Sequence, residues 1–143
     1  MTQKSAFSQV RRESAHFEVP SRDQITRILG TLTQDKAFHF YEDVGRPTGD
    51  SATSLTDFCG KINIVTPASL SFHLKRGDFE NWTKNAIGDN ELSSSIAKIR
   101  KAKAKWKSET TLRKKLYSVV RDRVVELQNL WRQALTWPES AVA

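Results

Sequence analysis

A chain of 143 residues with a net charge of +7, 38% hydrophobic and 27% charged, is the size of one domain and carries enough apolar side chain to fold around one core. No apolar run approaches the roughly 18 residues of a membrane span, and Met1 to Arg12 lacks the apolar block of a secretory signal, so a cytoplasmic protein with no membrane partner is expected. Cys59 is the only cysteine, which excludes an intramolecular disulfide and any zinc site of several thiolates and leaves it the role of a small buried apolar group.

In chain order, residues 1–20 show no sustained period and end at Pro20, which reads as a flexible N-terminal arm. Ser21 is a candidate N-cap for a short amphipathic helix carrying Ile25, Ile28, Leu29 and Leu32. Ala37 to Glu42 alternates Phe38 and Phe40 with His39 and Tyr41, the period of a half-buried strand. Val44 to Ser51 holds Gly45, Pro47 and Gly49 and predicts a loop. Ser54 and Asp57 then form a pair like a capping box ahead of Leu55, Phe58, Ile62 and Val65.

Thr66 and Pro67 open a second helix with Leu70, Phe72 and Leu74, since Thr caps and Pro tolerates the first helical position. Gly77 stops it, Asp78 is expected to cap the next, and Phe79, Trp82, Ala86 and Ile87 fall on one side. Gly88 and Asp89 repeat the stop and the cap before Leu92, Ile96 and Ile99. From Thr110 to Trp137 there is no Gly or Pro, and Leu112, Leu116, Val120, Val124, Leu127, Trp131 and Ala134 recur in steps of three or four. This predicts a single helix of roughly 40 Å. The expected fold is mainly α: one helical domain over residues 21–137 with a short N-terminal strand or hairpin, a long C-terminal helix and a tail over residues 138–143.

Ala37 through Ile99 resembles an uncharacterised prokaryotic domain, found most often in archaea, with a run of the form DFxxWxxxxxGDxEL. The run here is Asp78-Phe79-Glu80-Asn81-Trp82 followed by Ile87-Gly88-Asp89-Asn90-Glu91-Leu92, and Leu112 to Tyr117 is similar to the family's closing helix. The resemblance implies a fold but no activity, cofactor or catalytic residue. Physically, the matched residues suit caps, helix stops and a core face; a groove lined by Phe79 and Trp82 is the alternative. The lysines of Lys101 to Lys107 stand outside the family's pattern.

An enzyme needs convergent groups, and His16, His39, His73, Cys59, Asp43, Asp50, Asp57 and Asp78 show no diagnostic spacing. No catalytic residue, metal site or cofactor is therefore expected. Gly45-Arg46-Pro47-Thr48-Gly49 lacks the Gly-Lys-Ser/Thr ending of a phosphate loop. The densest signal is charge: Lys98, Arg100, Lys101, Lys103, Lys105, Lys107, Arg113, Lys114 and Lys115 stand against one acid, Glu109, with Trp106 placed to stack on a base. Such a cluster suits loose phosphate contact with RNA or DNA, free or within a ribonucleoprotein such as the ribosome. A merely solvated face is the plain alternative. The competing functional reading is a protein-interaction or self-association module using Trp131, Leu135 and Trp137 at the end of the long helix.

Overall fold

The computed structural model describes residues 18–102 and 108–136. Ser21 opens the fold as expected: its hydroxyl accepts from the Gln24 N–H while the Gln24 side chain accepts from the Ser21 N–H. This reciprocal cap starts α1 (Arg22–Ile28), which buries Ile25 and Ile28. A 3-10 turn (Gln34–Lys36) leads into β1 (Phe38–Asp43), paired antiparallel with β2 (Arg46–Ala52).

The second strand corrects the loop predicted over Val44 to Ser51. Gly45, at φ 73°, makes the reversal, and Gly49, at φ 92°, lies where the register slips between the pairs His39–Ser51 and Tyr41–Pro47. Both glycines occupy left-handed backbone that other residues resist. Pro47 costs no ladder bond it needs, because a two-stranded sheet consists only of edges.

Helix α2 (Leu55–Ile62) is capped by Ser54, whose hydroxyl accepts from Asp57 N–H. The Asp57 carboxylate accepts from Thr53 N–H instead of closing a box on Ser54. Thr66 caps α3 (Pro67–Arg76) with Pro67 in the first turn, and Gly77 ends it at φ 76°. Asp78 does not cap α4 (Asp78–Trp82), contrary to expectation: Gly77 holds the cap position, and the Asp78 carboxylate turns back to His73 and Arg76.

A π turn (Thr83–Ile87) follows, with the buried Thr83 hydroxyl donating to the carbonyls of Phe79 and Glu80. Gly88 closes that turn at φ 87°, and Asp89 caps α5 (Asn90–Lys101) by accepting from Leu92 N–H. The long helix α6 (Glu109–Thr136) completes the described chain.

Two packing centres hold these elements together. Phe38 lies 4.7–5.6 Å, centroid to centroid, from Phe40, Phe58, His73, Phe79 and Trp82, joining the hairpin to α2, α3 and α4. On the other side α6 buries Leu112, Leu116, Val120, Val124 and Leu127 against α1, α2 and α5.

Arg123 interrupts that apolar stripe and is only 7% exposed. Its guanidinium donates to both oxygens of the buried Asp89 at 2.7 and 3.0 Å and to Glu126 at 3.0 Å. The Asp89 carboxylate thus caps α5 and binds α6 at once. Among the described residues no helix is long and apolar enough to cross a membrane.

Candidate functional site

The basic segment divides into three groups. Lys103, Lys105, Trp106 and Lys107 lie outside the described residues. Arg100 and Arg113 are spent internally. Arg100 Nε and Nη2 donate to the two oxygens of Glu80 at 2.6 and 3.2 Å, and this carboxylate holds the guanidinium pKa above its ordinary value. Arg113 Nη1 donates to the carbonyls of Ile62 and Val65 at 2.8 and 2.7 Å, tying α6 to the end of α2. Lys98, Lys101, Lys114 and Lys115 are exposed and form no salt bridge among the described residues.

Lys98 and Lys101 stand in the last turn of α5, where cations offset the helix dipole. Lys114 and Lys115 fall in the second turn of α6, where helix stability calls for no cation. Residues 102–108 separate the two helices, so the end of α5 and the start of α6 lie within about 29 Å of each other. The four described lysines therefore stand near the end of α5 and the start of α6.

The aromatic candidates of the last helix also divide. Trp131 is half-buried against the core, and its indole N–H donates to Thr26 Oγ1 at 3.2 Å, so it seals α6 onto α1. Leu135 is exposed, and Trp137 lies outside the described residues.

His16 also falls outside the described residues. His39 is exposed, with its Nε2 3.2 Å from the carbonyl of Gln34. Cys59 is buried, and burial pushes its thiol pKa up, away from the thiolate that nucleophilic chemistry requires. His73 lies 14 residues further on but turns to the hairpin: Nε2 accepts from Tyr41 N–H at 2.8 Å, and Nδ1 is 2.8 Å from Asp78 Oδ2.

The proton of His73 must therefore sit on Nδ1, with the ring neutral and both nitrogens occupied. Burial lowers its pKa below the ordinary value against the opposing pull of Asp78. The residue is a structural pin for β1. Among the described residues no group of three or more His, Cys, Asp or Glu side chains is placed to hold a metal ion.

The groove expected as an alternative from Phe79 and Trp82 lacks its Phe79 wall. Phe79 is wholly buried in the aromatic centre. Trp82, 9% exposed, does line a cleft of about 710 Å³ between the hairpin and the α3–α4 wall. Phe38, Phe72, Tyr41 and Ala86 supply further apolar lining, and the Trp82 indole is fixed by donating to the Lys36 carbonyl at 2.9 Å. The cleft runs along the side of α4 that bears Asn81 and Trp82, whereas Glu80 points to Arg100 on α5. None of Lys98, Lys101, Lys114 and Lys115 lines it. The sequence signal for it was the step of four from Trp82 to Ala86.

The molecule is a small, mainly helical domain with one hairpin and two separable surface features, a set of exposed lysines and an apolar cleft. No protein family, curated protein or solved structure matches the chain.

Proposed function

We propose that this protein is a non-enzymatic nucleic-acid-binding domain that grips RNA or DNA through phosphate contacts, either directly or within a ribonucleoprotein such as the ribosome. The observation that carries the reading is the set of exposed lysines, Lys98, Lys101, Lys114 and Lys115, which have no carboxylate partner among the described residues and flank Lys103, Lys105 and Lys107 in the chain. Ammonium groups on flexible stems displace counterions along a phosphate backbone without demanding a fixed geometry. Trp106 adds a stacking surface for an unpaired base. Such contacts position a polyanion but read little sequence. The reading needs no cofactor and places the protein in the cytoplasm.

Titration of a labelled duplex and a structured RNA at several salt concentrations tests it. Binding should weaken steeply with salt, and replacing Lys101, Lys103, Lys105 and Lys107 by Gln should lower the salt slope by about 1 per lost phosphate contact, for all sequences alike. Binding that is absent or indifferent to salt overturns the reading.

The exposure of Leu135 and Val125 on α6 favours a second reading, a protein-interaction or self-association surface on the last helix. Light scattering that reports a monomer for the wild type, unchanged in a Val125→Ser, Leu135→Ser variant that spares the Trp131 contact, removes self-association through this surface.

A further inference from the structure

We propose that the cleft between the hairpin and the α3–α4 wall is a docking site for an uncharged, extended peptide segment that presents one bulky apolar side chain. The size fits first: about 710 Å³ lies within the range of pockets that take small ligands or anchor residues. Its floor is apolar and rigid, since Phe38 belongs to the aromatic centre and Trp82 is pinned through its indole N–H. A rigid apolar floor rewards a large side chain without an ordering cost on the protein's side.

Charge narrows the ligand. The ionised groups around the cleft are Asp35, Asp78, Lys36 and Arg76, which sum to zero with His73 neutral. Asp78 is already held by His73 and Arg76, and the Arg76 guanidinium also lies 4.9 Å from the centre of the Phe72 ring. The lining has no net charge to reward a phosphate or an amine, and Lys36, the one cation in it without a carboxylate contact, stands beside Asp35 in the chain, which disfavours nucleotides and cationic ligands.

The rim supplies the polar match. Asn81 and Asn85 are exposed, stand four residues apart on the cleft wall, and make no side-chain hydrogen bond among the described residues. A carboxamide offers one acceptor and a pair of donors, the complement of a backbone peptide group, which offers one of each. Asn85 is carried by the π turn (Thr83–Ile87), a rare geometry that concentrates at functional sites. The apolar side chain would fill the floor, and the two amides would hold the backbone beside it.

The test is an amide-resolved NMR titration of the whole protein with N-acetyl-tryptophanamide, the smallest neutral peptide unit with a large anchor. Saturable shifts should appear at the Trp82 indole N–H and at the side-chain amides of Asn81 and Asn85. N-acetyl-glycinamide, which lacks the anchor, should bind at least about tenfold more weakly. The double substitution Asn81→Ala, Asn85→Ala should weaken N-acetyl-tryptophanamide about tenfold with an unchanged melting temperature, because neither side chain has a partner to lose.

Equal binding by the two probes, or by the double variant, overturns the proposal. So does tighter binding of adenosine or methyl glucoside at the same resonances, or no saturable shift at all. None of these outcomes bears on the nucleic-acid reading, which rests on other residues.

Discussion

The cleft side and the lysine segment handle charge in opposite ways. Around the cleft every ionised group with a pairing partner is held by direction as well as by charge: Asp78 by His73 and Arg76, and Arg76 by the Phe72 ring. In the basic segment the arginines turn inward, Arg100 to Glu80 and Arg113 to two carbonyls, while the lysines beside them stay in solvent. The division follows from the groups themselves. A planar guanidinium with several fixed donors satisfies buried oxygens, whereas a strongly hydrated ammonium gains little by leaving water. Counting basic residues along the chain therefore overstates the cations offered to a partner, and the distinction between Arg and Lys corrects the count.

Substitutions can sharpen or break that contrast. The largest effect is expected where fixed groups are removed. Phe79→Ala, under the cleft, should cost about 3–5 kcal/mol of stability by denaturant unfolding, since a buried ring leaves a cavity. Arg123→Ala should cost a comparable 3–5 kcal/mol or so, because it leaves the Asp89 carboxylate buried and unpaired.

A smaller effect should follow from acid. The folded pKa of His73 is depressed, so the folded state binds fewer protons than the unfolded chain near the ordinary histidine value of about 6.5. Its contribution is fully present above that value and is lost as the pH falls toward the depressed folded pKa. Melting curves should shift downward over that window for the wild type and less for His73→Gln; identical pH profiles would show that the pin is absent.

Arg100→Gln should lower the melting temperature measurably through loss of the Glu80 contact, yet change nucleic-acid affinity by less than about twofold. The least change in stability is expected for the combined Gln substitution of Lys114 and Lys115, which stand in no last helical turn, within about 0.5 kcal/mol of wild type. A larger loss would mean that those lysines serve the fold, and the contrast between the two regions would collapse.

Much of this architecture was legible because local chemistry agreed with it. Ser21, Thr66 with Pro67, and Asp89 mark helix starts in the sequence and do so in the structure. The steps of three and four from Leu112 to Leu127 lay out the buried stripe of α6. Strand β2 was hidden because Gly45, Pro47 and Gly49 read as turn residues, and only the pairing of β1 reveals that two of them serve a reversal and a slipped register.

Asp78 looked like a cap because it follows a glycine, but a partner five residues back on α3 claims its carboxylate. Arg123 had a usable signal: it lies three residues after Val120 and four before Leu127, a charge set in an apolar stripe. Its partner, 34 residues away, has no such signature. The cleft depends on the hairpin meeting α3 and α4 across the chain, which no local period encodes.

The contact of Trp131 with Thr26 spans 105 positions, and α6 is the principal cover for Ile25 and Ile28 on α1. During synthesis, at about 5–20 residues per second, the first helix leaves the ribosome several seconds before the segment that shelters it exists. Its apolar side thus stays without its native cover on the nascent chain until the end of the domain arrives.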